Sequence, residues 1–297
     1  MADLNLKGMG VALITPFKDD ESVDYDALSK LVDYQVQNGT DYLVVLGTTA
    51  ETPTLTEEEK KKIISLVVTK VNGRIPIVLG VSGNCTRTIV EKLKNDNFDG
   101  IDAILSVVPY YNKPSQEGIY QHYKAIAGAT KLPIVLYNVP GRTGVNMTAA
   151  TTLRIAREFK NVVAVKEASG NITQMDDIIK NKPANFNVIS GDDGITFPLI
   201  TLGAIGVISV IGNAFPREFS RMVRLALAGD YDHARTIHHR FTELFELLFV
   251  DGNPAGAKSM LNAMGFIENK LRLPLVPTRI TTFEKIRDVL RELSIKC

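Results

Sequence analysis

Eight short apolar runs, rich in β-branched residues, alternate with longer segments of helical period over most of this 297-residue chain. The runs are apolar throughout rather than at every second position, which is typical of parallel strands covered on both faces. They lie at residues 11–15, 42–46, 77–81, 103–108, 134–137, 162–166, 188–190 and 207–210. Each gap contains a helical segment, as a crossover between parallel strands requires. The pattern predicts an α/β fold, a (β/α)8 TIM barrel, with an open doubly wound sheet as the alternative.

The pattern changes near residue 229, where the strand-like runs stop. Three segments of helical periodicity follow, at residues 231–250, 254–264 and 282–293. We therefore predict a barrel domain at residues 1–229 and a helical C-terminal domain at residues 230–297.

Composition narrows the class of protein. The chain is 45% hydrophobic and 23% charged, with 34 Lys plus Arg against 33 Asp plus Glu, so it lacks the basic excess of a nucleic-acid binder. No stretch approaches the roughly 20 apolar residues of a membrane span, and residues 1–8 lack the features of a signal peptide. The two cysteines, Cys85 and Cys297, are too few for a disulfide framework. We expect a cytoplasmic protein that binds neither membrane nor nucleic acid.

Lys166 is the most informative candidate, because it directly follows the apolar run 162–165. The ends of barrel strands carry the catalytic groups. A lysine amine withdrawn from water favours its neutral form, which attacks a carbonyl to form a Schiff base. The alternative is a strand-end lysine that pairs with Glu167, Asp192 or Asp193 and has no catalytic role.

Other polar side chains follow neighbouring strands. Tyr137, Tyr111 and the hydroxyls of Thr48 and Thr49 have the chemistry of a proton relay, although each tyrosine is also consistent with simple packing. Arg142 lies in a Gly- and Pro-bounded loop and suits bidentate capture of a carboxylate, or is a solvated loop arginine.

Metal and nucleotide sites have no support in the sequence. No Gly-x-Gly-x-x-Gly or Walker loop is present, and adjacent Asp192 and Asp193 on a strand would point to opposite sides. The four histidines lie in helical segments without metal-ligand spacing, and we predict that they occupy solvated helix faces: His122, His233, His238 and His239. We therefore predict no metal.

Five motifs resemble, in order and spacing, those of the dihydrodipicolinate synthase family, and the resemblance runs from about Gly8 to the C-terminal helices. They are Gly47-Thr-Thr-x-Glu51, Pro109-Tyr-Tyr111, Tyr137-Asn-Val-Pro-x-Arg-Thr-Gly144, Val165-Lys-Glu-Ala-Ser-Gly170 and Gly206-Val-Ile-Ser-Val210. The resemblance implies condensation of pyruvate with aspartate 4-semialdehyde. Lys166 would form an imine with pyruvate, so that no separate cofactor is needed.

The resemblance also implies roles for the remaining residues. Tyr137 would be the general acid and base, linked by Thr48 to Tyr111, which would come from the neighbouring subunit of a homotetramer arranged as a dimer of dimers. Four residues would bind substrate: Thr49 and the backbone at Ile208 would hold the pyruvate carboxylate, Gly191 would line the pocket, and Arg142 would bind the carboxylate of the semialdehyde.

Two departures from the family pattern stand out. Ala50 replaces the usual glycine of the first motif, a change tolerated at negative φ. At the position where many members bind lysine as an inhibitor, Asn84 and Tyr110 match, whereas Thr88 replaces a glutamate, and Glu57 and Lys60 replace histidines of some members. We therefore predict weak or absent inhibition by lysine.

Two alternatives share parts of this pattern. N-acetylneuraminate lyases and other pyruvate-dependent aldolases have the lysine and the tyrosine, but Arg142 favours an acceptor that carries a carboxylate. A barrel that binds pyruvate without turnover is the second alternative, against which the intact set of candidate residues argues.

Overall fold

The structure, a computed structural model, describes residues 4–293, so Cys297 and the outermost residues of both predicted domains lie outside the described part. Within it, eight parallel strands close into a barrel in sequence order, with β8 paired to β1. The strands are β1 (Gly8–Ala12), β2 (Tyr42–Val45), β3 (Ile77–Gly80), β4 (Ala103–Val107), β5 (Ile134–Asn138), β6 (Val162–Glu167), β7 (Asn187–Ser190) and β8 (Gly206–Ser209). The predicted TIM barrel is confirmed.

Helices follow the strands on the outside of the barrel. They are α1 (Tyr25–Gln37), α2 (Glu57–Val71), α3 (Thr86–Asn95), α4 (Gln116–Ala127), the single turn α5 (Pro140–Thr143), α6 (Ala149–Glu158), α7 (Ile172–Asn181), α8 (Thr196–Leu202) and α9 (Pro216–Leu227). The C-terminal part contains α10 (Tyr231–Leu247), α11 (Ala255–Ala263) and α12 (Ile280–Glu292). None of the helices within residues 4–293 is long and apolar enough to cross a membrane.

Local signals explain the accuracy of some helix bounds. Thr56 Oγ1 accepts a hydrogen bond from the Glu59 backbone N–H at 3.2 Å, and Glu59 Oε2 accepts one from the Thr56 N–H at 2.9 Å. This capping box starts α2 at the predicted place. In contrast, the apolar pattern does not predict α9, which begins at Pro216 after a short helical turn that follows β8.

The predicted position of the first strand is wrong by three residues, because β1 starts at Gly8 rather than at residue 11. Two glycines at its start conceal it in the sequence. A Cβ at Gly10 would lie 2.1 Å from the Tyr42 ring, and one at Gly8 would lie 2.3 Å from Asp41 Oδ2. Tertiary packing therefore requires glycine where strand propensity would favour a branched residue.

The two largest apolar cores of the described residues lie on opposite faces of the barrel wall. The interior core includes Tyr42, Val135 and Ala164, and it fills the barrel with side chains from alternate strand positions. The outer core lies between strands and helices and also contains apolar residues of α10 and α11, such as Phe241 and Met260. The C-terminal helices thus share one core with the barrel, and the division at residues 229 and 230 stays a prediction.

Candidate active site

Lys166 and Tyr137 form the centre of the site. They are register partners on β6 and β5, two strands that run side by side. Lys166 lies two positions beyond Ala164, an interior residue, so strand alternation also directs its side chain into the barrel. Lys166 is 5% exposed, and its Nζ lies 4.4 Å from the centroid of the Tyr137 ring. A buried amine and a phenol therefore meet at the carboxyl ends of the strands.

The carboxylates that could have neutralised Lys166 are engaged elsewhere. Glu167 lies on the opposite face of β6 and accepts hydrogen bonds from Asn138, Ser169 and Gln174 at 2.7–3.0 Å. Burial raises the pKa of this carboxyl. No carboxylate of the described residues lies within 4.0 Å of Lys166 Nζ, so the alternative of a structural ion pair is not formed.

Gly191 leaves the space that the lysine side chain occupies. A Cβ at this position would lie 3.0 Å from Lys166 Cε and 2.7 Å from the Cβ of Ala168. The Gly191 N–H donates to the Glu167 carbonyl at 2.7 Å, which holds the segment after β7 against the end of β6. The structure thus places Gly191 directly against the candidate nucleophile.

Asp193 joins the ends of β7 and β8. Its Oδ2 accepts hydrogen bonds from the N–H groups of Val210 and Ile211 at 2.9 and 2.8 Å. Burial raises the pKa of this carboxyl to about 6. The β7–β8 ladder contains the single register pair Ser190–Val207, so the backbone of Ile208 lies one residue beyond it. The sequence analysis did not identify Asp193 as the residue that fixes this strand end.

The turn after β2 carries both threonines. It forms one helical turn, Thr48–Ala50, in which Thr48 is exposed and Thr49 is buried. Ala50 is not among the residues with positive φ, which explains how alanine fits where the family pattern has glycine. Glu51, the last residue of this motif, is buried at φ 55°.

The C-terminal helices hold this turn in place. Lys258 on α11 lies 2.5 Å from Glu51 Oε1, and both side chains are fully buried. The backbone N–H of Arg272 donates to Glu51 Oε2 at 3.1 Å, and Asn253 Nδ2 donates to Thr49 Oγ1 at 3.1 Å. These contacts join residues more than 200 positions apart in sequence, and no local signal in the sequence identifies them.

Tyr111 and Arg142 lie outside this buried centre. Tyr111 is 82% exposed at φ 75°, and within the described residues it makes no hydrogen bond to Thr48 or Tyr137. Its backbone N–H donates to the Thr143 carbonyl at 3.3 Å, so its loop rests on α5, which carries Arg142. The Arg142 side chain is exposed and forms no ion pair with any described residue.

The candidate regulatory residues are also at the surface. Asn84 and Thr88 are exposed, and Tyr110 is 40% exposed. Glu57 forms ion pairs with Lys60 at 2.7 Å and with Lys92 at 3.4 Å, and hydrogen bonding to Lys60 lowers the pKa of the Glu57 carboxyl.

The prediction for the histidines is partly wrong. His233 and His239 are exposed, as expected. His122, however, is buried beside Thr86, whose Oγ1 lies 2.9 Å from His122 Nδ1, and burial lowers the pKa of this imidazole to about 4. His238 is half-buried between aromatic rings. The packed faces of α4 and α10 hold these two rings, which periodicity alone did not separate from solvated positions.

A closed eight-stranded barrel that presents a lysine and a tyrosine at the carboxyl ends of its strands is a TIM-barrel protein with polar groups where such enzymes carry their active sites. The model of the dihydrodipicolinate synthetase family matches residues 5–293. The chain therefore belongs to this family.

Individual relatives resemble the chain over its whole length. It is 91% identical to the 4-hydroxy-tetrahydrodipicolinate synthase of Parabacteroides distasonis, with 100% of both chains covered. A dihydrodipicolinate synthase of Acinetobacter baumannii, solved in complex with pyruvate, is 41% identical with a TM-score of 0.95, covering 98% of this chain and 100% of that one. A structure described as the first monomeric dihydrodipicolinate synthase variant has a TM-score of 0.94 at 43% identity and covers 97% of each chain.

Proposed function

We propose that this protein is a 4-hydroxy-tetrahydrodipicolinate synthase, a lyase that condenses pyruvate with L-aspartate 4-semialdehyde in the biosynthesis of diaminopimelate and lysine. The observation that carries the proposal is the buried amine of Lys166 in a member of this family: it faces Tyr137, and no carboxylate of residues 4–293 pairs with it. Such an amine is available as a nucleophile.

The reaction follows from the chemistry of that amine. Lys166 Nζ attacks the keto carbon of pyruvate, and loss of water gives a protonated imine. The imine nitrogen accepts an electron pair when the methyl carbon loses a proton, which forms an enamine. The enamine carbon then forms a bond to the aldehyde carbon of the semialdehyde, whose oxygen takes up a proton. The amino group of the same substrate then attacks the regenerated imine carbon and displaces the Lys166 amine, which closes the ring of the product and frees the enzyme. Because the imine nitrogen is the electron sink, the proposed mechanism uses no metal or organic cofactor.

The proposed proton carrier is Tyr137, whose ring lies against the Lys166 amine. Thr48 and Tyr111 would connect this phenol to bulk solvent. The 82% exposure of Tyr111 supports a contribution to the site of a neighbouring chain rather than to its own. We accordingly propose a homotetramer, arranged as a dimer of dimers and located in the cytoplasm.

The proposed binding groups divide between the two substrates. Thr49 and the backbone at Ile208 would bind the carboxylate of pyruvate, and Gly191 would leave room for its imine. The exposed guanidinium of Arg142, which forms no ion pair with the part of the chain that the structure describes, would bind the carboxylate of the second substrate at the entrance. The relative from Acinetobacter baumannii, which was solved with pyruvate, supports the choice of the first substrate.

The decisive experiment measures condensation of pyruvate and aspartate 4-semialdehyde, coupled to reduction of the product, for the wild type, Lys166→Ala and Lys166→Arg. The arginine variant keeps a long basic side chain beside Tyr137 but lacks an amine that forms an imine, so both variants should lose turnover. Borohydride with pyruvate should attach one reduced pyruvate to Lys166 in the wild type and to neither variant. A folded wild type without turnover would overturn the proposal, and trapping without turnover would indicate another acceptor aldehyde.

The role of Tyr111 has a separate test. Tyr111→Phe and Lys166→Ala chains should each be inactive, and activity should return when the two are co-refolded. A mixed dimer would contain one site with an intact lysine and a tyrosine from the other chain. A sedimentation profile of monomers with full activity would contradict the proposed assembly.

A further inference from the structure

Asn253 reaches the candidate active site from the C-terminal part of the chain. It lies between α10 and α11 and is 6% exposed. Its Nδ2 donates a hydrogen bond to the hydroxyl oxygen of Thr49 at 3.1 Å, across 204 positions of sequence. Thr49 itself is 3% exposed, so the contact is withdrawn from solvent.

This contact determines what the Thr49 hydroxyl can do. A hydroxyl has one hydrogen to donate and two lone pairs with which to accept. The Asn253 amide uses a lone pair, and within the described residues the Thr49 hydroxyl hydrogen has no acceptor. A buried donor without an acceptor is costly, and a ligand carboxylate would satisfy it.

The Asn253 side chain makes fewer hydrogen bonds than a buried amide with a purely structural role usually makes. Its Oδ1 is buried and has no hydrogen-bond partner, so the bond to Thr49 is the side chain's sole polar contact within the described part of the chain. Burying an amide for one hydrogen bond costs stability relative to an apolar residue of similar size. This cost is consistent with a role at the site rather than in the core.

We infer that Asn253 is a positioning residue for pyruvate: it keeps the Thr49 oxygen as an acceptor, so that the Thr49 hydroxyl hydrogen is donated to the pyruvate carboxylate. The inference rests on the proposed function. It assigns the C-terminal helices a part in substrate binding, since the segment that carries Asn253 is joined to the same turn by the buried pair of Lys258 and Glu51.

The test measures the pyruvate concentration that gives half-maximal borohydride trapping, which needs no second substrate. Asn253→Ala should raise this concentration about 3- to 10-fold, the range that corresponds to the loss of one net hydrogen bond. The KM for aspartate 4-semialdehyde should change less than about twofold, because Asn253 acts on the pyruvate carboxylate. Asn262→Ala is the matched control, because its Nδ2 donates to the Ile267 carbonyl within the same helical part and does not touch the Thr49 turn.

A double-mutant cycle separates positioning from general stabilisation. Thr49→Val removes the hydroxyl, so Asn253→Ala should have no further effect in that background. Asn253→Asp replaces the donor with an acceptor of the same shape and adds a negative charge. It should therefore weaken trapping more than alanine does, and increasingly so as the carboxyl ionises with rising pH.

Several outcomes would overturn the inference. One is an Asn253→Ala protein whose half-maximal trapping needs the same pyruvate concentration as the wild type. Another is a double variant in which the fold-changes of Asn253→Ala and Thr49→Val multiply, because independent effects would mean that Asn253 does not act through Thr49. If Asn253→Ala does not fold, the isosteric Asn253→Asp replaces it in the double-mutant cycle. The inference would then be refuted if Asn253→Asp weakened trapping as strongly in the Thr49→Val protein as in the wild type. Absence of trapping in the wild type would instead refute the proposed function.

Discussion

Substitution of Gly191 by alanine tests whether the space beside Lys166 is as tight as the structure indicates. The added Cβ would lie 2.7 Å from Ala168 Cβ and 3.0 Å from both the Glu167 carbonyl oxygen and Lys166 Cε. Carbon atoms in contact prefer about 3.5–4.0 Å, so about 1 Å of overlap must be relieved. The backbone oxygen is fixed by its hydrogen bond from the Gly191 N–H, which leaves the lysine side chain to move.

The expected cost has two parts. Overpacking of this size lowers the free energy of unfolding by about 1–3 kcal/mol, which corresponds to a fall in Tm of several degrees. Displacement of the amine by a fraction of an ångström should slow turnover by about 10- to 100-fold. Gly191 does not lie at positive φ, so these effects come from side-chain overlap and not from backbone strain.

The assay is thermal unfolding together with borohydride trapping and condensation rate. Gly141→Ala provides the control, because Gly141 lies in the nearby turn α5 and a Cβ there would meet no atom within 4 Å. That variant should keep its Tm and its trapping by pyruvate. A Gly191→Ala protein with the Tm and trapping rate of the wild type would refute the reasoning.

Three further predictions concern charge. Glu51→Gln leaves the buried Lys258 ammonium without its counter-charge and should lower the free energy of unfolding by about 3 kcal/mol in urea titrations. Lys258→Met in the same chain should recover most of this loss, and additive losses would contradict the reasoning. Burial raises the folded-state pKa of Asp193 from 3.8 to about 6, so its contribution to stability is greatest below pH 4 and is lost as the pH rises through 6. Relative to the wild type, Asp193→Asn should therefore gain about 2 kcal/mol between pH 4 and pH 7, and a difference independent of pH would show the cause to be wrong. Lysine at millimolar concentration should leave the condensation rate unchanged, whereas Thr88→Glu should strengthen lysine inhibition by about 10- to 100-fold; a micromolar inhibition constant for the unaltered chain would disprove this.

Much of the barrel could be predicted because its elements carry local signals. The bounds of α3 and α4 agree with the apolar period, and the capping box of Thr56 and Glu59 fixes the start of α2 within the chain segment itself. The predicted position of β1 is wrong because its two glycines are required by close contact with Tyr42 at the start of β2 and with Asp41 just before it. Such a requirement is absent from any short window of sequence.

The candidate site divides in the same way. Lys166 and Tyr137 are recognisable from the sequence because each ends an apolar run, and parallel strands of a closed barrel bring their carboxyl ends together. Asn253 and Lys258 carry no such signal, since each acts on a turn more than 200 residues away. The sequence likewise predicts His122 on a solvated helix face, and only the packing of α4 against its neighbours shows that it is buried.

The sequence alone determined the order of the eight strands and most of the helices, and it indicated the candidate side chains Lys166 and Tyr137, because periodicity, caps and residue chemistry are local properties. Only the tertiary structure decided that Glu167 turns away from Lys166 toward Asn138, and that Asn253 holds the Thr49 turn. The reason is physical: hydrogen bonds and ion pairs form over about 3 Å in space, and closure of the barrel brings residues within that distance regardless of their separation along the chain.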